Sequence, residues 1–173
     1  MAPPPQPTFS IGSSERSSLR LSAVVTIRPA IAADEPTIRR LINAANLNRM
    51  SLHWPNFVVA EEDGAIVGVG QVKTHGDRSR ELASIAVVPD RQGAGVGSAI
   101  IRTLLEREAG GVIYLTCREQ LQGYYERFDF RLIEQAEYPP YFRRLIRIVN
   151  LVAGMFGMRI LVMRRKSARV EAP

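Results

Sequence analysis

The fold of this 173-residue chain is decided by residues 82–98, LASIAVVPDRQGAGVGS, and by the ten residues that follow them. The apolar run that opens this stretch is rich in valine and isoleucine, which predicts a buried central strand. Pro89 and Asp90 end that strand. Three glycines at alternate positions then allow a tight turn with exposed N–H groups. Apolar residues at helical spacing predict a helix over 99–108.

A strand, a glycine-rich turn and a helix together form a site for an anion, because free N–H groups and the positive end of the helix dipole both attract phosphate. A Walker-type loop would end in Gly-Lys-Ser/Thr, but Gly97 is followed by Ser98 and Ala99. A dinucleotide fingerprint would need glycine in place of Ser98 and an acidic residue about 20 positions later. Neither pattern fits this turn.

The pattern that fits is Gln-x-x-Gly-x-Gly, formed by Gln92, Gly95 and Gly97 directly after the predicted strand. It resembles the acetyl-CoA-binding signature of the GNAT superfamily of N-acetyltransferases, and the resemblance extends over roughly residues 25–165. The resemblance implies that acetyl-CoA is the acetyl donor. It also implies that the donor is bound by Ile85, Ala86, Val87, Gln92, Gly93, Ala94, Gly95, Val96, Gly97 and Ser98.

Within this set the resemblance implies three roles. The backbone N–H groups of residues 93–98 hold the pyrophosphate, and the strand residues 85–87 pair with the pantetheine arm. The N–H of Val87 is the implied donor to the carbonyl oxygen that becomes an oxyanion.

A second segment, GYYERFDF at residues 123–130, is similar to the Tyr-Glu-x-x-Gly-Phe segment of the same superfamily. Tyr125 is the matching tyrosine, and the resemblance implies that it protonates the CoA thiolate; the alternative is packing on a helix face. Asp129 stands where the family usually has glycine, and aspartate tolerates a left-handed backbone moderately well. Arg118 replaces an asparagine that often contacts CoA, so it either meets a phosphate or is exposed.

Glu81 is the candidate general base because it begins the predicted strand, where GNAT members often use a glutamate directly or through water. The alternative is a salt bridge with Arg78 or Arg80 in the adjoining turn. Ser84 is expected on the opposite face of the strand from Glu81, so the two should not share a site.

Three other residues are weaker candidates for the acceptor side. His53 and His75 are alternative bases, and each is expected in an exposed loop. Trp54 either lines the acceptor pocket or anchors the link between a helix and a strand. The loops at 46–56, 74–80 and 134–142 are expected to form the acceptor pocket.

The cysteine and histidine counts argue against disulfides and metal sites. Cys117 is the single cysteine, so an internal disulfide is excluded, and we expect it to be a small buried residue at a strand end. With only two histidines beside it, no metal is predicted. No apolar run reaches the length of a membrane-spanning helix.

The net charge of +6 is concentrated near the C-terminus, where residues 139–169 hold eight basic residues and no acidic ones. We interpret this as a packed helix with a solvated arginine face. An acidic substrate or a membrane surface contacting 141–166 is the less favoured alternative. No nucleic-acid partner is expected, because aromatic and basic residues alternate only within 141–147.

The order of the predicted elements excludes a doubly wound dinucleotide-binding fold, because antiparallel strands precede the glycine turn. Helices are predicted over 35–45, with Asp34 as N-cap, and near 99–108, 119–128 and 141–156. Strands are predicted over 24–27, 57–60, 65–73, 82–88, 112–116, 130–133 and 158–165. The strand 112–116 should lie parallel to 82–88, because a helix crosses between them.

The sequence therefore predicts one α/β (α+β) domain with a mixed, largely antiparallel sheet that splays near 85–88 to admit CoA. We expect a disordered tail over 1–22, the domain over 23–166 and a flexible end over 167–173. The predicted activity is acetyl-CoA-dependent acetylation of a primary amine of a small molecule or amino acid, in a cytoplasmic monomer or homodimer. The alternatives are acetylation of a protein N-terminus or lysine, and a non-catalytic acyl-CoA-binding or surface-binding module.

Overall fold

The computed structural model describes residues 24–108, 110–153 and 159–166. The segments predicted as a disordered tail over 1–22 and a flexible end over 167–173 lie outside these residues. The strands are β1 Thr26–Pro29, β2 Phe57–Glu62, β3 Ala65–Thr74, β4 Arg80–Val87, β5 Val112–Arg118, β6 Arg131–Leu132 and β7 Ile160–Lys166. Within the described residues they form a single sheet in the order β1-β2-β3-β4-β5-β7-β6.

Helices cover both faces of this sheet. They are α1 Glu35–Ala44, α2 Val96–Arg107, α3 Gln122–Glu126 and α4 Pro140–Ala153. Neighbouring residues of β2 show the two faces, because Val58 packs in the core under α2 while Val59 packs in the core under α1. A third cluster joins α4 to β7 through Phe142, Ile146 and Val162. The predicted fold class is confirmed. No helix among the described residues is long and apolar enough to cross a membrane.

The strands β4 and β5 are parallel, as predicted, but they separate almost at once. They are paired only at Arg80 with Ile113 and at Glu81 with Tyr114, whereas the other neighbouring strands are antiparallel. The opening predicted near 85–88 therefore begins directly after Glu81. Beyond this point the facing edges of β4 and β5 have no strand between them, and a cleft lies there.

A β-bulge at Ser84 changes which way the side chains of β4 point. Ser84 has a left-handed φ of 58°, and the register with β3 passes from Gln71–Ala83 to Val69–Ala86, so β4 has one extra residue. An extra residue reverses the alternation of side chains along a strand. The bulge is therefore why strict alternation fails to describe this strand.

The observed boundaries differ from the predicted ones in two informative places. The helix α2 starts at Val96, three residues earlier than predicted, because Gly95 takes a left-handed φ of 85° and ends the turn inside the glycine pattern. Asp34 precedes α1 but its side chain makes no cap hydrogen bond to that helix. Its carboxylate instead accepts from Arg28 (2.7 Å) and from the Ile31 N–H (2.9 Å), so Asp34 is the N-cap residue by position, as predicted, but its side chain does not cap the helix.

The close approach of α2 to β3 requires glycine at position 70. A Cβ added to Gly70 would lie 2.6 Å from Cγ2 of the core residue Ile100 and 2.6 Å from Cδ1 of Ile85, which packs against that core. Overpacking of this kind costs about 1–3 kcal/mol. We expect Gly70→Ala to lower the melting temperature by roughly 2–12 °C, at about 2–4 °C for each kcal/mol in a domain of this size.

The matched control is Gly76→Ala, because a Cβ there meets nothing within 4 Å and its φ is not positive. Thermal unfolding monitored by circular dichroism measures both variants. Equal melting temperatures for the two variants would contradict the packing described here.

Candidate functional site

The glycine turn presents backbone N–H groups at the open end of the cleft. Gly93 and Gly95 have left-handed φ values of 79° and 85°, which glycine adopts without strain. The first intrahelical N–H bond of α2 runs from Ala99 to Gly95 O (3.0 Å). The N–H groups of residues 96–98 therefore have no carbonyl acceptor within the helix and can bind an anion.

A cavity of about 630 Å³, here called the turn cavity, lies against this turn. Seven of the ten residues predicted to bind the acetyl donor line it: Ile85, Val87, Gln92, Gly93, Gly95, Gly97 and Ser98. Ala86 and Val96 are buried in the core, so only their backbone can contribute, and Ala94 is exposed on the turn.

The strand end and the turn are joined by a side chain within the predicted motif. Gln92 Nε2 donates to Val87 O (3.0 Å), and the N–H of the next residue, Val88, donates to Val67 O (2.9 Å) on β3. Because backbone groups of adjacent strand residues point to opposite edges, the Val87 N–H points into the cleft. Val87 is thus able to donate to a ligand there.

Sequence reasoning missed four residues that line the turn cavity: Arg91, Leu121, Tyr124 and Arg127. The Tyr124 hydroxyl oxygen lies 3.2 Å from Ser98 Oγ, and the Arg127 guanidinium lies 4.7 Å from the centre of the Tyr124 ring. Arg91, which pairs with Glu62, flanks the turn on its other side. The basic residues just before and after the recognised motifs were the available signal, since a phosphate ligand needs cations nearby.

Tyr125 stands where two cavities meet. A second cavity of about 630 Å³, here called the middle cavity, shares Ile85, Gln92, Leu121 and Tyr125 with the turn cavity. The Tyr125 ring packs edge-on against Phe130, and no hydrogen bond between described residues involves its hydroxyl. Burial raises the pKa of that hydroxyl above its ordinary value, so it remains protonated at neutral pH and can donate.

A third cavity of about 340 Å³, here called the distal cavity, continues from the middle cavity. It is lined by Lys73, Glu81, Thr116 and Arg118 and is covered by Tyr141, Leu145 and Val149 of α4. Ser84 lines it together with Glu81, so the expectation that these two residues could not share a site was wrong. The bulge at Ser84 is the physical reason.

Glu81 lies in a buried charged cluster rather than in the predicted salt bridge with Arg78 or Arg80. Its Oε2 is 2.9 Å from His75 Nε2 and 3.3 Å from Lys73 Nζ, and its Oε1 accepts from Thr116 Oγ1 (3.2 Å). Burial opposes ionisation of Glu81, but the hydrogen bond from His75 and the charge of Lys73 outweigh it. The pKa of Glu81 is therefore lowered and the carboxylate is ionised at neutral pH.

The prediction that His75 is an exposed loop residue was wrong. Its side chain is only 10% exposed, because the ring stacks on Tyr141 with 3.4 Å between ring centres and meets Phe142 edge-on. His75 thus connects Glu81 to the helix that covers the distal cavity. A lone histidine between two turn residues gave no signal of this contact, which depends on α4 returning over the sheet.

The other residues singled out in the sequence analysis agree with one of the environments considered for each. His53 is exposed, and Trp54 packs in the core under α1, so it is an anchor. Cys117 is buried as expected, and burial raises its pKa to about 11. Asp129 does take a left-handed φ of 65°. Arg118 is exposed at the rim of the middle and distal cavities.

The geometry on its own describes a cleft with an anion-binding turn at one end and a buried charged cluster at the other. A family model described as an acetyltransferase (GNAT) domain matches residues 53–132, which include β4, the glycine turn, α2 and Tyr125. Residues 53–132 of this chain are thus similar to a GNAT acetyltransferase domain. A search of curated proteins found no match. Among the described residues, no group of three or more His, Cys, Asp or Glu side chains is arranged to hold a metal ion.

Solved structures share the fold of this chain. N-acetylglutamate synthase from Neisseria gonorrhoeae, complexed with coenzyme A and L-arginine, superposes with a TM-score of 0.67 at 24% identity, over 85% of this chain and 34% of that one. This chain therefore spans about a third of that synthase. Rv2747 from Mycobacterium tuberculosis, complexed with CoA, gives 0.64 at 22% identity, over 83% and 99% of the two chains.

The ribosomal-protein-S18-alanine N-acetyltransferase from Escherichia coli gives a TM-score of 0.56 at 19% identity, over 87% of this chain and 99% of that one. At these identities the likeness establishes the fold. It leaves the acceptor open, because these structures include enzymes named for an amino-acid product and for a protein substrate.

The lowered pKa of Glu81 makes a prediction about stability. The carboxylate stabilises the fold fully above its unfolded pKa of about 4.3, and this contribution is lost as the pH falls through the lower folded value. Glu81→Gln leaves Lys73 buried without its anion, which costs about 3–5 kcal/mol at pH 7. The difference in unfolding free energy between the two proteins should shrink as the pH is lowered from about 5 to 3.

Urea unfolding across this pH range measures the difference. Glu106→Gln is the control, because Glu106 is exposed on α2 and its loss should change stability by less than about 0.5 kcal/mol. A difference that stays constant with pH would show that Glu81 is not held ionised by Lys73 and His75.

Proposed function

We propose that this chain transfers the acetyl group of acetyl-CoA to a primary amine of a small molecule or amino acid by direct attack of the amine. The observation that carries the proposal is the continuous cleft. It connects the free N–H groups of the glycine turn, through Tyr125, to the buried charges of Lys73 and Glu81. The CoA complexes of two structures with this fold support the turn end of the assignment.

The turn cavity fits the phosphate-bearing part of acetyl-CoA. The N–H groups of residues 96–98 and the side chains of Arg91 and Arg127 provide donors and positive charge for the phosphates. The Val87 N–H, which points into the cleft, is suited to pair with an amide of the pantetheine arm. The arm would then pair with β4 along the edge from which β5 has separated.

The reacting thioester is best placed beside Ile85, which shares the junction of the two cavities with Tyr125. Val87, the oxyanion donor implied by resemblance, pairs with Gly68, five residues along β3 from the partner of Glu81, which corresponds to about 17 Å along a strand. Because of the bulge at Ser84, Ile85 lies only about three strand positions beyond Glu81, or about 10 Å. We therefore move the proposed oxyanion contact from Val87 to the backbone near Ile85, closer to both candidate catalytic side chains.

Tyr125 is the proposed proton donor. As the amine nitrogen bonds to the carbonyl carbon and the carbon–sulfur bond breaks, the Tyr125 hydroxyl gives its proton to the departing thiolate. A phenol near pKa 10 and a thiol near 8.5 are mismatched in water. Burial raises the pKa of Tyr125, and it raises that of a thiolate leaving group in the same apolar junction. Because burial raises both pKa values, the difference between the phenol and the thiol does not increase.

Glu81 is the proposed acceptor of the amine proton, acting through water. A direct role is disfavoured because His75, Lys73 and Thr116 already occupy both carboxylate oxygens. A small acceptor is favoured over a protein chain because α4 covers the distal cavity, whose volume is about 340 Å³.

Acetyl-CoA is expected to stabilise the protein against heat. At a concentration about 100 times its dissociation constant it should add about 2.7 kcal/mol. This corresponds to a rise in melting temperature on the order of 5–10 °C for a domain of this size. NAD and ATP are the controls, and a shift with either of them instead of acetyl-CoA would contradict the assignment of the turn.

Tyr125→Phe should lower kcat by about 100-fold or more, which is the range for loss of a general acid, without weakening acetyl-CoA binding. Free CoA thiol released with a panel of primary amines gives the rate, and calorimetry gives the affinity. Tyr114→Phe is the matched control, because Tyr114 packs against Phe142 and lines none of the three cavities. Unchanged turnover in Tyr125→Phe would exclude Tyr125 as the proton donor. An absence of turnover in the wild type with all amines, despite acetyl-CoA binding, would favour a non-catalytic acyl-CoA-binding module.

A further inference from the structure

The distal cavity contains a buried lysine that the acetyl-transfer scheme does not use. The side chain of Lys73 is 8% exposed, and its Nζ lies 3.3 Å from Glu81 Oε2. Lys73 lies opposite Glu81 in the register of β3 and β4, and both line the cavity. A cation is costly to remove from water unless its hydrogen bonds are replaced.

The hydrogen bonds of this pair are unequally satisfied. Glu81 accepts a hydrogen bond from Thr116 on one oxygen and is paired with both His75 and Lys73 on the other, so both carboxylate oxygens have partners within the protein. An ammonium group has three N–H donors, and Glu81 is the one acceptor for Lys73 among the hydrogen bonds and ion pairs of the described residues. The unused N–H donors are therefore on Lys73, the member of the pair that can bind an anion.

The charge around the cavity points the same way. Among the described residues that line the distal cavity, Glu81 is the acidic one, whereas Lys73 and Arg118 are basic. The helix α4, which covers the cavity, carries Arg143, Arg144 and Arg147 as exposed residues. This positive surface attracts an anion toward the cavity.

We propose that the acceptor is a primary amine that also carries a carboxylate, and that Lys73 binds this carboxylate in the distal cavity. The inference rests on the proposed function, because it takes the amine to react beside Ile85. Lys73 is level with Glu81, and with the bulge at Ser84 this position is about 10 Å along the strands from Ile85. The lysine side chain spans part of that distance, so the amine and the carboxylate are separated by several bonds. An ω-amino acid fits this spacing better than glycine does.

The test uses unbranched ω-amino acids of two to six carbons and the carboxamide of each. Acetylation by the full chain is compared for the wild type, Lys73→Met, Lys73→Arg and the control Lys166→Met, whose side chain is exposed at the end of β7. We expect the wild type to prefer the carboxylate of the longer acceptors at least 10-fold in kcat/KM. Lys73→Met should abolish the preference, Lys73→Arg should retain part of it, and Lys166→Met should keep it.

Equal rates for acid and amide in the wild type would overturn the inference, as would a full preference that survives in Lys73→Met. A carboxylate preference confined to glycine would overturn the proposed spacing. If Lys73→Met does not fold, the wild type still decides: pentanoate should inhibit acetyl transfer at least 10-fold more strongly than pentanamide, and equal inhibition would refute the carboxylate site.

A binding measurement separates this inference from the proposed function. Calorimetry in the presence of CoA compares N-acetyl-5-aminopentanoate with its amide, and no turnover is needed. Tighter binding of the carboxylate, lost in Lys73→Met, would uphold the anion site even in a protein that transfers no acetyl group. Acetyl transfer without any difference in binding would uphold the enzyme and overturn the role of Lys73.

Discussion

The separation of β4 from β5 is the constraint on which the rest of the structure depends. Two parallel strands that are paired at only two positions leave a row of backbone groups without strand partners, and such groups need hydrogen bonds from another source. The helix α2 begins at the same end of β4, so its free N–H groups face the same opening. The cleft is therefore a property of the sheet, and the glycine turn supplies its anion-binding end.

The other end of the cleft depends on a cluster of charges placed away from water. Lys73 and Glu81 are opposite each other on adjacent strands, and His75 follows in the turn that joins those strands. Tyr141 of α4 closes the cluster by stacking on His75. Because each of these groups is stabilised by the others, the cluster positions the covering helix as well as the charges that face the cavity.

The local backbone was largely predictable from the sequence. The glycine turn and the crossover helix follow from residue-level preferences that act over a few positions. Tyr125 was singled out because its segment resembles that of a known superfamily, and the structure places it at the junction of two cavities. The left-handed backbone at Asp129 was likewise foreseen from the tolerance of aspartate.

The sequence by itself determined the strand–turn–helix unit and the anion-binding end of the cleft, because both are built from consecutive residues. Only the tertiary structure decided the other end of the cleft, where Lys73 and Glu81 lie. The bulge at Ser84 turns a serine into the same cavity as Glu81, and α4 returns over the sheet to bury His75. Lys73 became a candidate ligand-binding residue only once its burial and its single acidic partner were known. These contacts join residues that are distant in sequence, and no local pattern encodes them.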